Sequence, residues 1–178
     1  MADRNPARAL TVVKDIGGMC DFLENTAIKN AIEQAVPVSM PRAPGALGFN
    51  IPLWVGLGTV GLWAALGAFA ERAGLKPSKS GCPICKKTSC ISALFARYTQ
   101  GNEVQSLNEL EDFRHLYAHN YAGEADAEYF GRKRHVLALG TATPLTCGVQ
   151  FGGHRLSLDL LHLRYYANTA QRVLGRFP

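Results

Sequence analysis

From Ile51 to Ala70 the chain reads IPLWVGLGTVGLWAALGAFA, twenty residues without a charge. No other stretch narrows the folding choices so far. A run of this length can cross a bilayer as one helix, which takes about 20 apolar residues. It can equally form the central helix of a bundle, apolar all round because neighbours cover every side. Gly56, Gly58, Gly61, Gly67 and Thr59 interrupt it, and Trp63 would lie in mid-bilayer rather than at an interface. The helical pattern also continues into Glu71-Arg72 and stops near Gly74, with Pro77 beyond. A buried core helix is the expectation, with a membrane span at 51–70 as the alternative.

The neighbouring segments suit a bundle. Asn5-Pro6 reads as an N-cap followed by proline at the first helical position. Leu10, Val13, Ile16, Cys20, Leu23, Ile28 and Ile32 then recur at helical spacing. Prolines at 37, 41, 44 and 52 make residues 36–50 a connector. A helix is expected over Ser89–Thr99, and Ser106-Leu107-Asn108-Glu109 reads as a capping box opening another that runs to Gly123. VLALG, LTCGVQF and HRLSLDL, with Gly152-Gly153 between the last two, suggest a β-hairpin over about 135–157. A last helix should cover Leu158–Leu174 and end at Gly175. The expected fold is mainly α: one domain over residues 1–178, an up-and-down bundle of four to five helices with a small β-hairpin before the last.

Composition excludes several classes. At 178 residues, 47% hydrophobic and 19% charged, the chain is neither disordered nor too short to bury a core. No period of roughly 20–50 residues recurs, which argues against solenoids and propellers. The opening MADRNPARAL has no apolar h-region, and five cysteines are an odd count for a disulfide framework, so the expected location is cytoplasmic.

Charge is segregated. Between Gly101 and Phe130 seven acids face one base, Arg114, whereas from Gly131 onward seven bases face one acid, Asp159. Arg132, Lys133 and Arg134 form a run that suits a polyanion such as RNA through counterion release. A solvated face offsetting the acidic one is the plain alternative.

The segment EDFRHLYAHN holds Arg114, four intervening residues and His119, with polar His115 and Asn120 after them. RNA cleaves itself when a 2′-OH attacks the adjacent phosphorus. The reaction needs a base for the hydroxyl, an acid for the leaving oxygen and positive charge beside the phosphorane. Histidine titrates near neutrality and can take or give the proton. Arginine stays charged, and its planar fork matches two phosphate oxygens.

This Arg-x4-His pattern, on a late helix of a helical chain, resembles the signature of the HEPN superfamily, whose members include metal-independent endoribonucleases. The resemblance implies Arg114 and His119 as catalytic residues, with His115 and Asn120 orienting substrate and no catalytic cofactor. It also implies a homodimer whose two motifs face one cleft. RNA is then the partner, and a toxin or defence role with an antitoxin protein follows from the same reading. A non-catalytic HEPN-type module that binds RNA or a nucleotide is the alternative. The cysteine cluster and the hairpin are not part of the general family pattern.

Five positions at about 100° each set Arg114 and His119 about 140° apart on a regular helix. Either the helix loosens near Ala118–Asn120, or two chains complete the site. Asp112, His115 and His119 also share a stripe, a rival metal-binding reading that lacks a His-Glu-x-x-His pattern. Tyr117, Tyr121 and Tyr129 are candidates for base stacking, although Tyr117 is expected to pack inward.

Cys82, Cys85 and Cys90 form Cys-x2-Cys-x4-Cys, with Lys86 and Lys87 adjacent. The spacing suits a structural zinc, with Cys147, Cys20, His135 or His154 as fourth ligand. A redox pair or ordinary reduced thiols are the alternatives for this loop at 76–90.

Overall fold

The computed structural model describes residues 4–35, 51–82, 86–120, 124–126, 155–157 and 160–178, with backbone alone for 27–35, 51–52, 116, 119–120 and the two short strands. Of these residues 71% are helical, in five helices. They are α1 (Ala7–Ala35), α2 (Ile51–Arg72), α3 (Ile91–Leu94), α4 (Glu103–Asn120) and α5 (Leu160–Leu174). The connector at 36–50 lies outside the described residues.

Local chemistry accounts for several helix ends. The Asn5 side-chain oxygen accepts the Ala7 N–H at 2.9 Å, and Leu10 N–H reaches Pro6 O, so α1 starts where the Asn-Pro pair places it. α1 then passes through Gly17-Gly18 without a break. α2 closes as Gly74 N–H reaches Glu71 O and Leu75 N–H reaches Ala70 O, with Gly74 at φ 62°. α5 ends at Leu174, beside Gly175.

Contacts along the helices set the topology. Met19 and Ile16 of α1 lie against Gly58 and Gly61 of α2, in reverse order. Tyr117 and Arg114 of α4 lie over Gly56 and Trp63 of α2, again reversed. Glu103, Ser106 and Glu109 of α4 bond to Arg172, Thr169 and Tyr166 of α5. α1 returns to α5 through Arg164, which pairs with Asp21 and Glu24. Each of these four pairs is antiparallel, which is an up-and-down bundle. α2 touches all three other long helices.

The core follows from that placement. Val55, Leu62, Leu66 and Phe69 of α2 are completely buried, together with Phe113 of α4 and Leu163 and Tyr166 of α5. Burying a side chain of this size contributes roughly 1.5–3 kcal/mol. Gly56 and Gly58 admit the neighbouring helices. A Cβ on Gly58 would stand 2.5 Å from Leu163 Cδ2, and one on Gly56 2.5 Å from Tyr117 Cδ1. The outer side of α2 leaves Leu53, Trp54 and Leu57 exposed. By length and composition, residues 53–72 also meet the requirement for a membrane-crossing helix.

Three local expectations are corrected. The capping box fails: α4 begins at Glu103, and Ser106 is buried inside it, bonded to Thr169 Oγ1. The helix end is held instead by Glu103, whose carboxylate accepts the Gln100 N–H at 2.9 Å. The helix over Ser89–Thr99 shrinks to Ile91–Leu94, because Phe95 and Tyr98 turn to pack on Phe177.

The hairpin over 135–157 is not supported. Its turn and first arm lie outside the described residues. Arg155–Ser157 of its second arm pair antiparallel with Glu124–Asp126, upstream of the expected hairpin.

Candidate functional site

α4 carries the Arg-x4-His segment, and α2 supplies the surface beneath it. Arg114 is half-buried, with its guanidinium carbon 3.7 Å from the centroid of the Trp63 ring. A cation over an indole face is held by the ring quadrupole, worth roughly 0.5–2 kcal/mol depending on desolvation. Packing on the ring also restricts how the guanidinium can turn.

Those donors are unspent. Among the described residues Arg114 forms no hydrogen bond or ion pair, and its buried Nε lacks a partner. The buried Trp63 Nε1 also lacks one. A buried donor without an acceptor costs roughly 1–3 kcal/mol, so two at one contact mark a place where an acceptor oxygen would be welcome.

The other arginines packed against the bundle contrast with Arg114. Arg172 and Arg176 both hold Glu103, and Arg164 holds Asp21 and Glu24. The Arg176 hydrogen bonds, helped by Gln100 and Arg172, bring the Glu103 carboxyl down to about 2 against an ordinary 4.5. Three bases of the C-terminal half are therefore tied to structural acids. Arg132, Lys133 and Arg134 lie outside the described residues.

His115 is half-buried on α4, and Asp112, three residues earlier, is buried. The side chains of His119 and Asn120 lie outside the described residues, but their backbone is helical, since α4 runs through Asn120. The helix does not loosen near Ala118–Asn120. Arg114 and His119 therefore keep the separation of a regular helix, about 140° in azimuth and about 7.5 Å in rise. Tyr117 packs inward over Gly56, 6% exposed. Tyr121 and Tyr129 lie outside the described residues.

Cys82 and Cys90 are buried together with Ala93 in a small cluster separate from the main core. Cys85, Cys147, His135 and His154 lie outside the described residues. Cys20 belongs to the main core, where burial pushes its thiol up to about 11. It does not join the other two, which removes it as a fourth ligand. Among the described residues no three His, Cys, Asp or Glu side chains converge on one point.

Sequence reasoning missed Trp63 as a platform. It also missed Glu111, which accepts the Ile91 N–H at 2.8 Å and ties α4 to the segment after Cys90. An isolated tryptophan in an apolar helix carries no signal of which side chain will lie on it. No family model, curated protein or solved structure matches the chain.

Proposed function

We propose that this protein is a HEPN-like endoribonuclease that cleaves RNA without a metal ion. The observation that supports the reading is the state of Arg114: half-buried, stacked on Trp63 and unclaimed by any described acid. An arginine kept for structure would be expected to resemble Arg172 or Arg176, both engaged by a carboxylate. One with its donors unspent suits an anion that arrives from outside, and a phosphodiester presents two oxygens to a planar fork.

In this reading Arg114 stabilises the negative phosphorane formed as the 2′-OH attacks, and His119 exchanges the proton as general acid or base. His115 and Asn120 orient the substrate. Because α4 is helical through both positions, their backbone positions lie about 140° apart around it. A homodimer that sets two such helices against one cleft lets the arginine of one protomer serve the histidine of its partner. Arg132, Lys133 and Arg134 add phosphate contacts on grounds of charge alone. A cytoplasmic toxin or defence role, with an antitoxin protein as partner, belongs to the same proposal.

The test is incubation of single-stranded RNA with the purified chain in excess chelator. Cleavage is expected to end in 2′,3′-cyclic phosphates. Arg114→Ala and His119→Ala should each lower the rate by about 10²–10³-fold while the helical signal persists. Binding of RNA without cleavage would favour the non-catalytic HEPN-type module instead. Cleavage by both variants at the rate of the unsubstituted chain would overturn the site. The exposed Leu53, Trp54 and Leu57 keep a membrane reading of α2 open to a direct check: recovery of the chain only in detergent would replace the soluble bundle with a membrane-anchored protein.

A further inference from the structure

The loop between α2 and α3 folds around its first cysteine. Cys82 N–H donates to Lys87 O and Lys86 N–H donates to Cys82 O, both at 2.9 Å. The chain therefore closes back on Cys82 from both sides. Lys86 adopts φ 61°, the only left-handed non-glycine residue among those described. Such a conformation costs of order 1 kcal/mol for a residue with a Cβ and calls for a compensating interaction. Gly81 precedes Cys82 at φ 66°, and a Cβ there would meet Lys86 O at 2.3 Å.

Cys82 is completely buried, Cys90 is 4% exposed, and the two lie in one cluster. Lys76, Lys79, Lys86 and Lys87 of the same loop are exposed.

A second observation comes from α4. Asn108, 1% exposed, places Oδ1 3.5 Å from Cys82 Sγ, while its buried Nδ2 has no partner. That arrangement suits a thiol, which donates, and leaves the amide donor stranded. An amide turned by half a rotation would offer Nδ2–H to the sulfur, an interaction that a thiolate accepts. It is the kind of outer contact that orients a metal-bound cysteine.

We propose that Cys82 and Cys90 bind a thiolate-preferring divalent cation of the zinc class. The bound ion pins the loop to α4 and takes no part in RNA cleavage. Each thiol that joins the metal releases one proton to solvent, so affinity rises with pH. The proposal stands on these two cysteines and Asn108. Cys85 lies outside the described residues and enters only as a variable of the test.

The experiment is metal analysis of the full chain purified from zinc-supplemented medium, followed by cobalt(II) substitution. About one equivalent of zinc per chain is expected, with near-ultraviolet sulfur-to-cobalt charge-transfer absorption that weakens in Cys82→Ser and in Cys90→Ser. Cys85→Ser then reports whether a third thiolate contributes to that band. Since loss of a ligand can unfold the loop, Asn108→Ala provides a variant that keeps every thiol. It should weaken zinc affinity by about 10–100-fold in chelator competition. A folded chain without zinc, or cobalt absorption unchanged by both cysteine substitutions, would overturn the site. Because catalysis is assigned to Arg114 and His119, a metal-free outcome would leave that assignment standing, and loss of cleavage in Arg114→Ala would leave the metal site standing.

Discussion

The guanidinium carbon of Arg114 lies 3.7 Å from the centre of the Trp63 ring, joining α4 to α2 through a cation and a π face. Trp63→Leu keeps a smaller apolar side chain and removes that face. It should lower stability by about 0.5–2 kcal/mol and reduce RNA cleavage, because the guanidinium loses the plane that orients it. Trp63→Phe keeps an aromatic face and should retain more of both. Denaturant titration and initial cleavage rates on the same preparations check the pair. Equal losses in Leu and Phe variants would show that the ring supplies bulk alone.

Glu103 makes the pH prediction. Its carboxyl is held at about 2, below the ordinary 4.5, first by the Arg176 hydrogen bonds. A depressed carboxyl contributes stability that is complete above about 4.5 and drains away as pH falls toward 2. Thermal melts should therefore show an acid-side loss in this window, and Glu103→Gln should flatten it. At pH 7 that substitution should cost about 1–3 kcal/mol, since it leaves Arg172 and Arg176 without their carboxylate.

Gly58→Ala tests the approach of α5 to α2. The added Cβ would stand 2.5 Å from Leu163 Cδ2, so the buried Leu163 side chain must shift, at about 1–3 kcal/mol. Leu163→Ala alone should cost about 2–5 kcal/mol by opening a cavity. Combined, the two should cost less than their sum, because each relieves the other. A double-mutant cycle by chemical denaturation measures the coupling, and strict additivity would refute the contact.

Tyr166→Phe removes a donor from a buried carboxylate. Tyr166 O–H donates to Glu109 Oε2 at 3.0 Å, and both residues are fully buried. The loss should be about 1–3 kcal/mol, read as a lower urea midpoint at unchanged slope.

Cys20 should resist alkylation. Burial raises its thiol to about 11, which leaves little thiolate at pH 8. Peptide mapping after iodoacetamide should find Cys20 modified only once the chain is unfolded.

How much of this was legible depends on the range of the interaction. Asn5-Pro6 announced the start of α1 because the cap bonds a residue two positions away. The uncharged stretch announced α2, and Gly74 and Gly175 stand where α2 and α5 stop. Ser106-x-x-Glu109 misled because the same atoms found better partners on α5, Thr169 and Tyr166. Within the candidate site, Arg114 was legible as a motif residue, whereas Trp63 was not. The two are far apart in sequence and meet only when α4 lies antiparallel on α2.

Sequence by itself therefore determined the helical character, the central place of the apolar segment and the helix ends at Asn5, Gly74 and Gly175, all properties of hydrophobic spacing and short-range backbone bonding. Tertiary structure alone decided that Glu103 would take two arginines from the far end of the chain and that Arg114 would be left on an indole. Helix starts and stops are local competitions among a few neighbouring groups. Which charge meets which partner is settled only when packed helices exclude water and every buried donor must find what is nearest.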